Sequence, residues 1–258
     1  MIKEIKYQNS SGFSLAFENR KPYYLEKIDG VGLKANIAAE ELAFADGQKT
    51  VFKKFGARTV PVDFAVWLTE KDEQTDVLDY LISLFNPLDD GVLTLVNDKG
   101  AFSIECCPAE IPTFNRSTVG SVYRFTVDFV CDYPYFTQLG ELNETITAGT
   151  PARIISSSVP DTPVRIYIPD CTGGATVTLS NRNGNSKIKV LEYTTPVFID
   201  TKDFTAKAVN SGGYDISNKI DVSSGIEDFK LCYGKNEISI SGTDTAYISW
   251  NKLVLGVK

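Results

Sequence analysis

The 258-residue sequence predicts a mainly β protein of two domains, the first carrying a single α-helix. Three observations carry that reading. Between Ser121 and Cys131, the residues Tyr123, Phe125, Val127, Phe129 and Cys131 alternate with Arg124, Thr126, Asp128 and Val130. A period of two puts one set on a buried sheet face. Only one stretch, about 72–85, repeats its apolar residues at helical spacing. Beyond Val164, short alternating runs recur every ~10 residues between polar turns, the pattern of an antiparallel sandwich.

The Ser121 strand ends at Asp132-Tyr133-Pro134, because proline lacks a backbone donor and biases the residue before it away from helical angles. Tyr135 and Phe136 follow. Gly140, Glu141, Asn143, Glu144, Thr147, Gly149 and Pro151 then read as a linker, which sets domains of 1–138 and 139–258.

In chain order, Ile2 and Ile5 begin a strand, and Phe13, Leu15 and Phe17 continue in phase after a turn at Asn9-Ser10-Ser11-Gly12. Tyr23 to Leu25 and Val31 to Leu33 suit short strands, with Asp29-Gly30 and Asp46-Gly47 as hairpin turns. Val60, Val62, Phe64, Val66 and Leu68 share one phase, and Trp67 points to the opposite face. In the helix, Val77, Leu78, Leu81, Ile82, Leu84 and Phe85 form one apolar stripe. Thr69 or Asp72 suits its N-cap, and Asn86-Pro87 ends it. Gly91 to Val96 and Ala101 to Cys106 flank Asn97-Asp98-Lys99-Gly100 as a hairpin, and Pro108 and Pro112 bracket an irregular link. In the second domain Val164, Ile166 and Ile168 alternate. Val177 and Leu179 precede a turn at Asn183-Gly184 and a return through Ile188 and Val190. Val197 to Ile199, Ile238 to Ile240, and Ala246, Ile248 and Trp250 complete the series.

Composition narrows the function. Hydrophobic content of 43% and charged content of 23% suit a packed core. A net charge of -7 argues against general nucleic-acid binding and against anionic membranes. There is no histidine, which excludes Ser-His-Asp and Cys-His catalysis and His-ligated zinc. Cys106, Cys107, Cys131, Cys171 and Cys232 are odd in number and have no CxxC spacing, so neither a disulfide framework nor a zinc site is expected. That usage suits folding in a reducing cytoplasm. No secretory signal or membrane span is expected either.

The exit Phe129-Val130-Cys131-Asp132-Tyr133-Pro134-Tyr135-Phe136 resembles the N-terminal domain of siphophage distal tail proteins, the Dit family. So do the early Asn9-Ser10-Ser11-Gly12, the Asp46-Gly47 turn and Arg58-Thr59-Val60-Pro61-Val62. The helix end Leu84-Phe85-Asn86-Pro87 and the Gly-x-Leu hairpin returning to Cys106 are similar too. In the second domain, Phe198-Ile199-Asp200-Thr201 and Gly234-Lys235-Asn236-Glu237-Ile238-Ser239-Ile240 look like the family's C-terminal domain, a jelly-roll or galectin-like sandwich. The resemblance is weakest over 143–165 and 202–227.

The resemblance implies a structural virion protein of the tail tip, made in the host cytoplasm and not an enzyme. It implies a hexameric ring, single or stacked, formed by the N-terminal domains with the C-terminal sandwiches projecting outward. The implied partners are the major tail tube protein, a tail-associated fibre or lysin protein, and receptor-binding proteins or host glycans. No cofactor, metal, specific nucleic acid or membrane is implied. The alternative is a carbohydrate-binding adhesion module acting through the C-terminal sandwich.

No catalytic, ligand or metal residue is assigned from sequence. Glu40-Glu41 and Asp89-Asp90 suit solvated turns better than a glycosidase pair. Asp215, Asp221, Glu227 and Asp228 could offer oxygens to calcium but lack a regular loop. Tyr233, Tyr247 and Trp250 could stack on sugar, but Trp250 shares the buried phase of Ala246 and Ile248, while Tyr247 and Ser249 face away from it.

Overall fold

A computed structural model describes residues 2–18, 20, 22–29, 33, 35–41, 46, 48–68, 71–117, 121–209 and 213–257. The fold is mainly β with one α-helix, as the sequence predicts. The chain divides into two units, Met1–Gln138 with Leu255–Lys258, and Leu139–Val254.

The first unit contains β1 (Ile2–Asn9), β2 (Ser14–Glu18), β3 (Tyr23–Ile28), β4 (Ala35–Glu41), β5 (Gln48–Phe55), β6 (Arg58–Trp67), α1 (Lys71–Leu84), β7 (Gly91–Asn97), β8 (Gly100–Pro108), β9 (Asn115–Arg116), β10 (Val122–Cys131) and the start of β11 (Phe136–Thr147). Its strands pair in the order β8-β7-β1-β2-β3-β6-β10, and β10 pairs again with β8, so the sheet closes on itself as a barrel. The closing pairs are Phe129 with Pro108 and Val130 with Cys107. All five predicted inward residues of β10, from Tyr123 to Cys131, are buried. Val60, Val62, Phe64, Val66 and Leu68 are likewise buried, and Trp67 is exposed.

The helix ends inside the barrel. Phe85, the residue after α1, is fully buried with ring centroids of Tyr7, Phe17, Phe64, Phe125 and Phe129 at 5.7, 6.3, 5.9, 5.8 and 6.1 Å. Such clusters combine a large buried apolar area with favourable ring geometry. Leu81 and Leu84 are buried as predicted, but Ile82 is 38% exposed, so the stripe is narrower than the sequence suggests. The proposed cap at Thr69 lies outside the described residues, as do Val31 and the turn glycines Gly30 and Gly47.

Asn9 explains how the helix terminus is held. Its side-chain amide donates to the carbonyls of Ser83 and Leu84 at 3.1 and 3.2 Å, and its Oδ1 accepts from the Phe13 N–H at 2.9 Å. The last carbonyls of a helix have no partner within it. One buried side chain therefore caps α1 and fixes the β1–β2 turn. Gly91 has a packing reason of its own: an added Cβ would stand 2.5 Å from Tyr7 Oη and 2.6 Å from the Gln8 carbonyl.

The second unit takes the remainder of β11, then β12 (Arg153–Ser157), β13 (Thr162–Pro163), β14 (Arg165–Ile168), β15 (Ala175–Asn181), β16 (Gly184–Val190), β17 (Val197–Asp200), β18 (Thr205–Ala208), β19 (Lys230–Leu231), β20 (Gly234–Ser241) and β21 (Thr245–Val254). One sheet runs β12-β20-β15-β16, and the other β18-β17-β14-β21-β11. Buried residues of both form one apolar cluster, including Val177, Leu179, Ile188, Ile166, Ile199, Ile248 and Trp250. This is the expected sandwich.

Two details differ from the sequence reading. The stretch read as a linker is strand β11 as far as Thr147. Between Phe136 and Ile146 its side chains are largely exposed, so no apolar alternation marks it. The β15–β16 turn consists of Arg182 and Asn183, and Gly184 already pairs with Asn181. The β7–β8 hairpin is built the same way, with Asn97 opposite Gly100. In both, the first Asn accepts from the N–H two residues on, at 2.8 Å for Asn97 and 2.9 Å for Asn181. In both, the glycine has positive φ, 125° and 120°. That conformation suits glycine alone.

Candidate functional site

The carboxylates considered as sites are scattered, and many serve local structure. Glu40 and Glu41 end β4 in solvent. Asp89 accepts from Ser11 Oγ at 3.0 Å, and the Asp90 carbonyl accepts from the Ser10 N–H at 2.7 Å. Asp215 and Asp221 each accept from the backbone N–H and hydroxyl of the serine two residues on. Those bonds, with Lys189 at 3.3 Å, pull the Asp221 pKa down to about 2. Glu227 and Asp228 stand apart, on a cleft of the second unit. Among the described residues, no three His, Cys, Asp or Glu side chains gather as a metal site would require. Trp250 is buried, whereas Tyr247 and Tyr233 are 47% and 56% exposed. Trp250 therefore forms no exposed platform with Tyr233 or Tyr247.

The cysteines are all free. Cys106 and Cys131 are buried in the first unit on adjacent strands β8 and β10. The Cys106 thiol is pushed up by its hydrogen bond with Cys131 and by burial, which leaves it protonated and inert at neutral pH. Arg58 is buried beside Cys131, and desolvation lowers its pKa. Its Nη2 donates to the Leu255 carbonyl at 2.6 Å, and its guanidinium lies 5.0 Å from the Phe136 ring centroid. Arg58 and Phe136 of the two motif segments are thus one contact, which also ties down the end of the chain.

Three motif residues of the second unit, Asp200, Thr201 and Asn236, are polar and buried. Thr201 Oγ1 donates to the Val164 carbonyl at 3.0 Å and accepts from the Val164 N–H at 2.8 Å. Asp200 accepts from Arg165 Nε at 3.0 Å, and Arg165 Nη1 donates to Glu141 at 3.0 Å. The Ser249 hydroxyl, with Arg165, holds the Glu141 carboxyl below the usual carboxylate range. Asn236 is fully buried. Its amide donates to the carbonyls of Ile155, Cys232 and Gly234 at 3.2, 2.9 and 3.0 Å, and its Oδ1 accepts from the Cys232 N–H at 2.7 Å.

The one conspicuous surface element of the first unit is the β4–β5 hairpin. It forms a two-stranded sheet of its own, paired from Ala35–Phe55 to Glu41–Gln48 with a register shift between Ala38 and Ala39. Ile37, Val51 and Phe52 are 58%, 54% and 48% exposed. A lone hairpin is marginal in water and gains by packing on something else. Sequence reading gives no sign of it beyond the Asp46-Gly47 turn, because neither face is buried to impose alternation.

Comparison with known proteins fits this geometry. Residues 10–131, most of the barrel unit, match the phage tail protein RIFT-related domain. The match covers nearly all of the barrel strands and stops at Cys131, the last residue of β10. The crystal structure of phage SPP1 Dit, described as a paradigm of the hub adsorption apparatus in phages that infect Gram-positive bacteria, superposes with a TM-score of 0.74 at 15% identity, covering 97% of this chain and 99% of that one. Baseplate structures of phage P2, in the activated conformation with calcium and with strontium, give TM-scores of 0.53 and 0.51 at 10% and 9% identity, with full coverage of both chains. No curated protein sequence matches. The resemblance to siphophage tail proteins is borne out by the domain match over residues 10–131, and the whole chain shares the fold of SPP1 Dit.

Proposed function

We propose that the chain is the structural hub of a siphophage tail tip and that six copies close into a ring. The barrel units form the ring and meet the tail tube on one side and a fibre or lysin protein on the other. The sandwich units carry the outward contacts to adhesion proteins. The role is architectural, without catalysis.

The observation that carries this reading is the β4–β5 hairpin, a two-stranded sheet of its own with Ile37, Val51 and Phe52 exposed, in a unit whose residues 10–131 match a phage tail protein domain. A closed ring needs a heterologous interface, in which one patch of each copy meets a different patch on the next. The hairpin offers apolar side chains on both of its faces, since Ile37 pairs with Lys53 and Phe52 with Ala38, and its occupant is a second copy of this chain. Ile37, Val51 and Phe52 are already about half covered, so burying the rest would contribute about 1 kcal/mol for each. The acidic balance of the protein, -7, suits a channel that lets DNA pass without holding it.

Negative-stain electron microscopy of the purified chain tests the reading. Six-fold rings with a central hole are expected. A field of single particles at every concentration, with or without tail tube protein, overturns it.

A further inference from the structure

The hub reading makes no use of the cysteines in the barrel. β6, β10 and β8 are neighbours there. Cys131 on β10 pairs with Arg58 on β6. On its other side β10 meets β8 through Phe129–Pro108 and Val130–Cys107, and the same register puts Cys131 opposite Cys106. Arg58, Cys131 and Cys106 therefore form one row across three strands, and all three are buried. Cys107 is half-buried and points to the other face of β8.

The ladder fixes what kind of pair the two thiols make. The Ala109 N–H donates to the Asp128 carbonyl at 2.8 Å, so those residues are a hydrogen-bonded pair. Bonded and open pairs alternate along an antiparallel ladder. Pro108 with Phe129 is then open, Cys107 with Val130 is bonded, and Cys106 with Cys131 is open. Open pairs hold their Cα atoms about 4.5 Å apart and their side chains closest, inside the roughly 4.4–6.8 Å that a disulfide spans. The two sulfur atoms already share a hydrogen bond.

The row also makes Cys131 the first to react. The hydrogen bond from Cys106 holds its thiol below the usual range, and the Arg58 guanidinium acts in the same direction. Nε and Nη1 of Arg58 have no hydrogen-bond partner among the described residues, and the acidic group acting on its charge is Cys131. A thiol beside a guanidinium is the kind that oxidises. Cys171, buried in the second unit, is instead pushed up to about 11 by burial.

We propose that Cys131 and Cys106 are an oxidation site at which hydrogen peroxide closes a disulfide that locks the barrel seam. The Cys131 sulfur attacks one peroxide oxygen, the O–O bond breaks, and a sulfenic acid forms as water leaves. The Cys106 sulfur then displaces that hydroxyl, which gives the S–S bond and a second water. The two thiols lose two hydrogens and two electrons, and the peroxide takes both. The cross-link ties β8 to β10 beside the pairs that close the barrel. It lies within the first unit and stands whether or not copies assemble into a ring.

Peptide mapping by mass spectrometry tests it on the folded full-length protein, oxidised with hydrogen peroxide and then capped with N-ethylmaleimide. A Cys106–Cys131 peptide that dithiothreitol splits is expected, with Cys131 consumed about tenfold faster than Cys171. Calorimetry is expected to place the barrel transition roughly 10 °C higher after oxidation and to return it on reduction. Cys107→Ser is expected to change none of this. The proposal is overturned if Cys106 and Cys131 remain free while Cys107 oxidises, or if Cys131 advances to a sulfinic acid without the cross-link. It is equally overturned if Cys107 replaces either partner, or if the cross-link leaves the transition where it was.

Discussion

Replacing Asn236 by alanine is expected to damage the second unit more than any single surface substitution. The side chain is fully buried and makes four bonds to backbone groups, the shortest from the Cys232 N–H at 2.7 Å. It joins β12 through Ile155 to the start of β20 and the segment before it. Alanine removes the partner and leaves the backbone groups buried. An orphaned buried donor costs about 1–3 kcal/mol, and a carbonyl with a second lone pair in use costs less. With the small cavity added, the loss is about 3 kcal/mol. For a unit of this size that lowers Tm by roughly 10 °C. The chain has two tryptophans, Trp67 in the first unit and Trp250 in the second. In a Trp67→Phe background, Trp250 emission on heating reports the second unit alone. A shift of less than about 2 °C would refute the view that Asn236 is a satisfied polar clamp at the centre of this fold.

Other substitutions test the remaining links. Asn9→Ala is expected to cost about 1–2 kcal/mol and to speed hydrogen exchange at the C-terminal end of α1 before the rest of the barrel, because it uncaps Ser83 and Leu84. The Asp221 carboxyl has a folded pKa of about 2 against an ordinary 3.8, and Asp170 and Asp215 shift the same way. A depressed folded pKa stabilises above the ordinary value, and the stabilisation disappears as pH falls through the folded one. The urea-midpoint difference between the wild-type protein and Asp221→Asn is therefore expected at neutral pH and lost between about pH 4 and pH 2. Ile37→Asp with Phe52→Asp is expected to abolish assembly while leaving the barrel's melting temperature within about 1 °C, since both side chains are exposed in the single chain.

Much of the fold was legible because burial on one face writes itself into a strand. β6 and β10 alternate cleanly since each has a wet side and a core side, and their inward residues could be named in advance. Legibility failed where that asymmetry fails. β11 has polar residues on both sides through its middle, and β4 and β5 are exposed on both faces, so neither carries a period of two. Ile82 sits at the margin of the α1 stripe, where helical spacing alone cannot tell core from rim. The polar cores were hidden for a different reason. Asn9 and Asn236 look like turn residues in sequence, and only long-range hydrogen bonds to Ser83, Leu84 and Ile155 reveal their work. The resemblance pointed at Asn236 and Thr201 without supplying that reason. The sugar platform considered around Trp250 did not form, because its ring packs inward. The positive φ of Asp161 and Phe204 is a property of the folded backbone, with no signal in the sequence.

The closed ring is the central claim, and the mass of the intact protein in solution tests it most directly. Light scattering after size exclusion is expected to give six times 28.4 kDa, or a whole multiple of that for stacked rings. A mass of 28.4 kDa at every concentration, unchanged when tail tube protein is added, would contradict it.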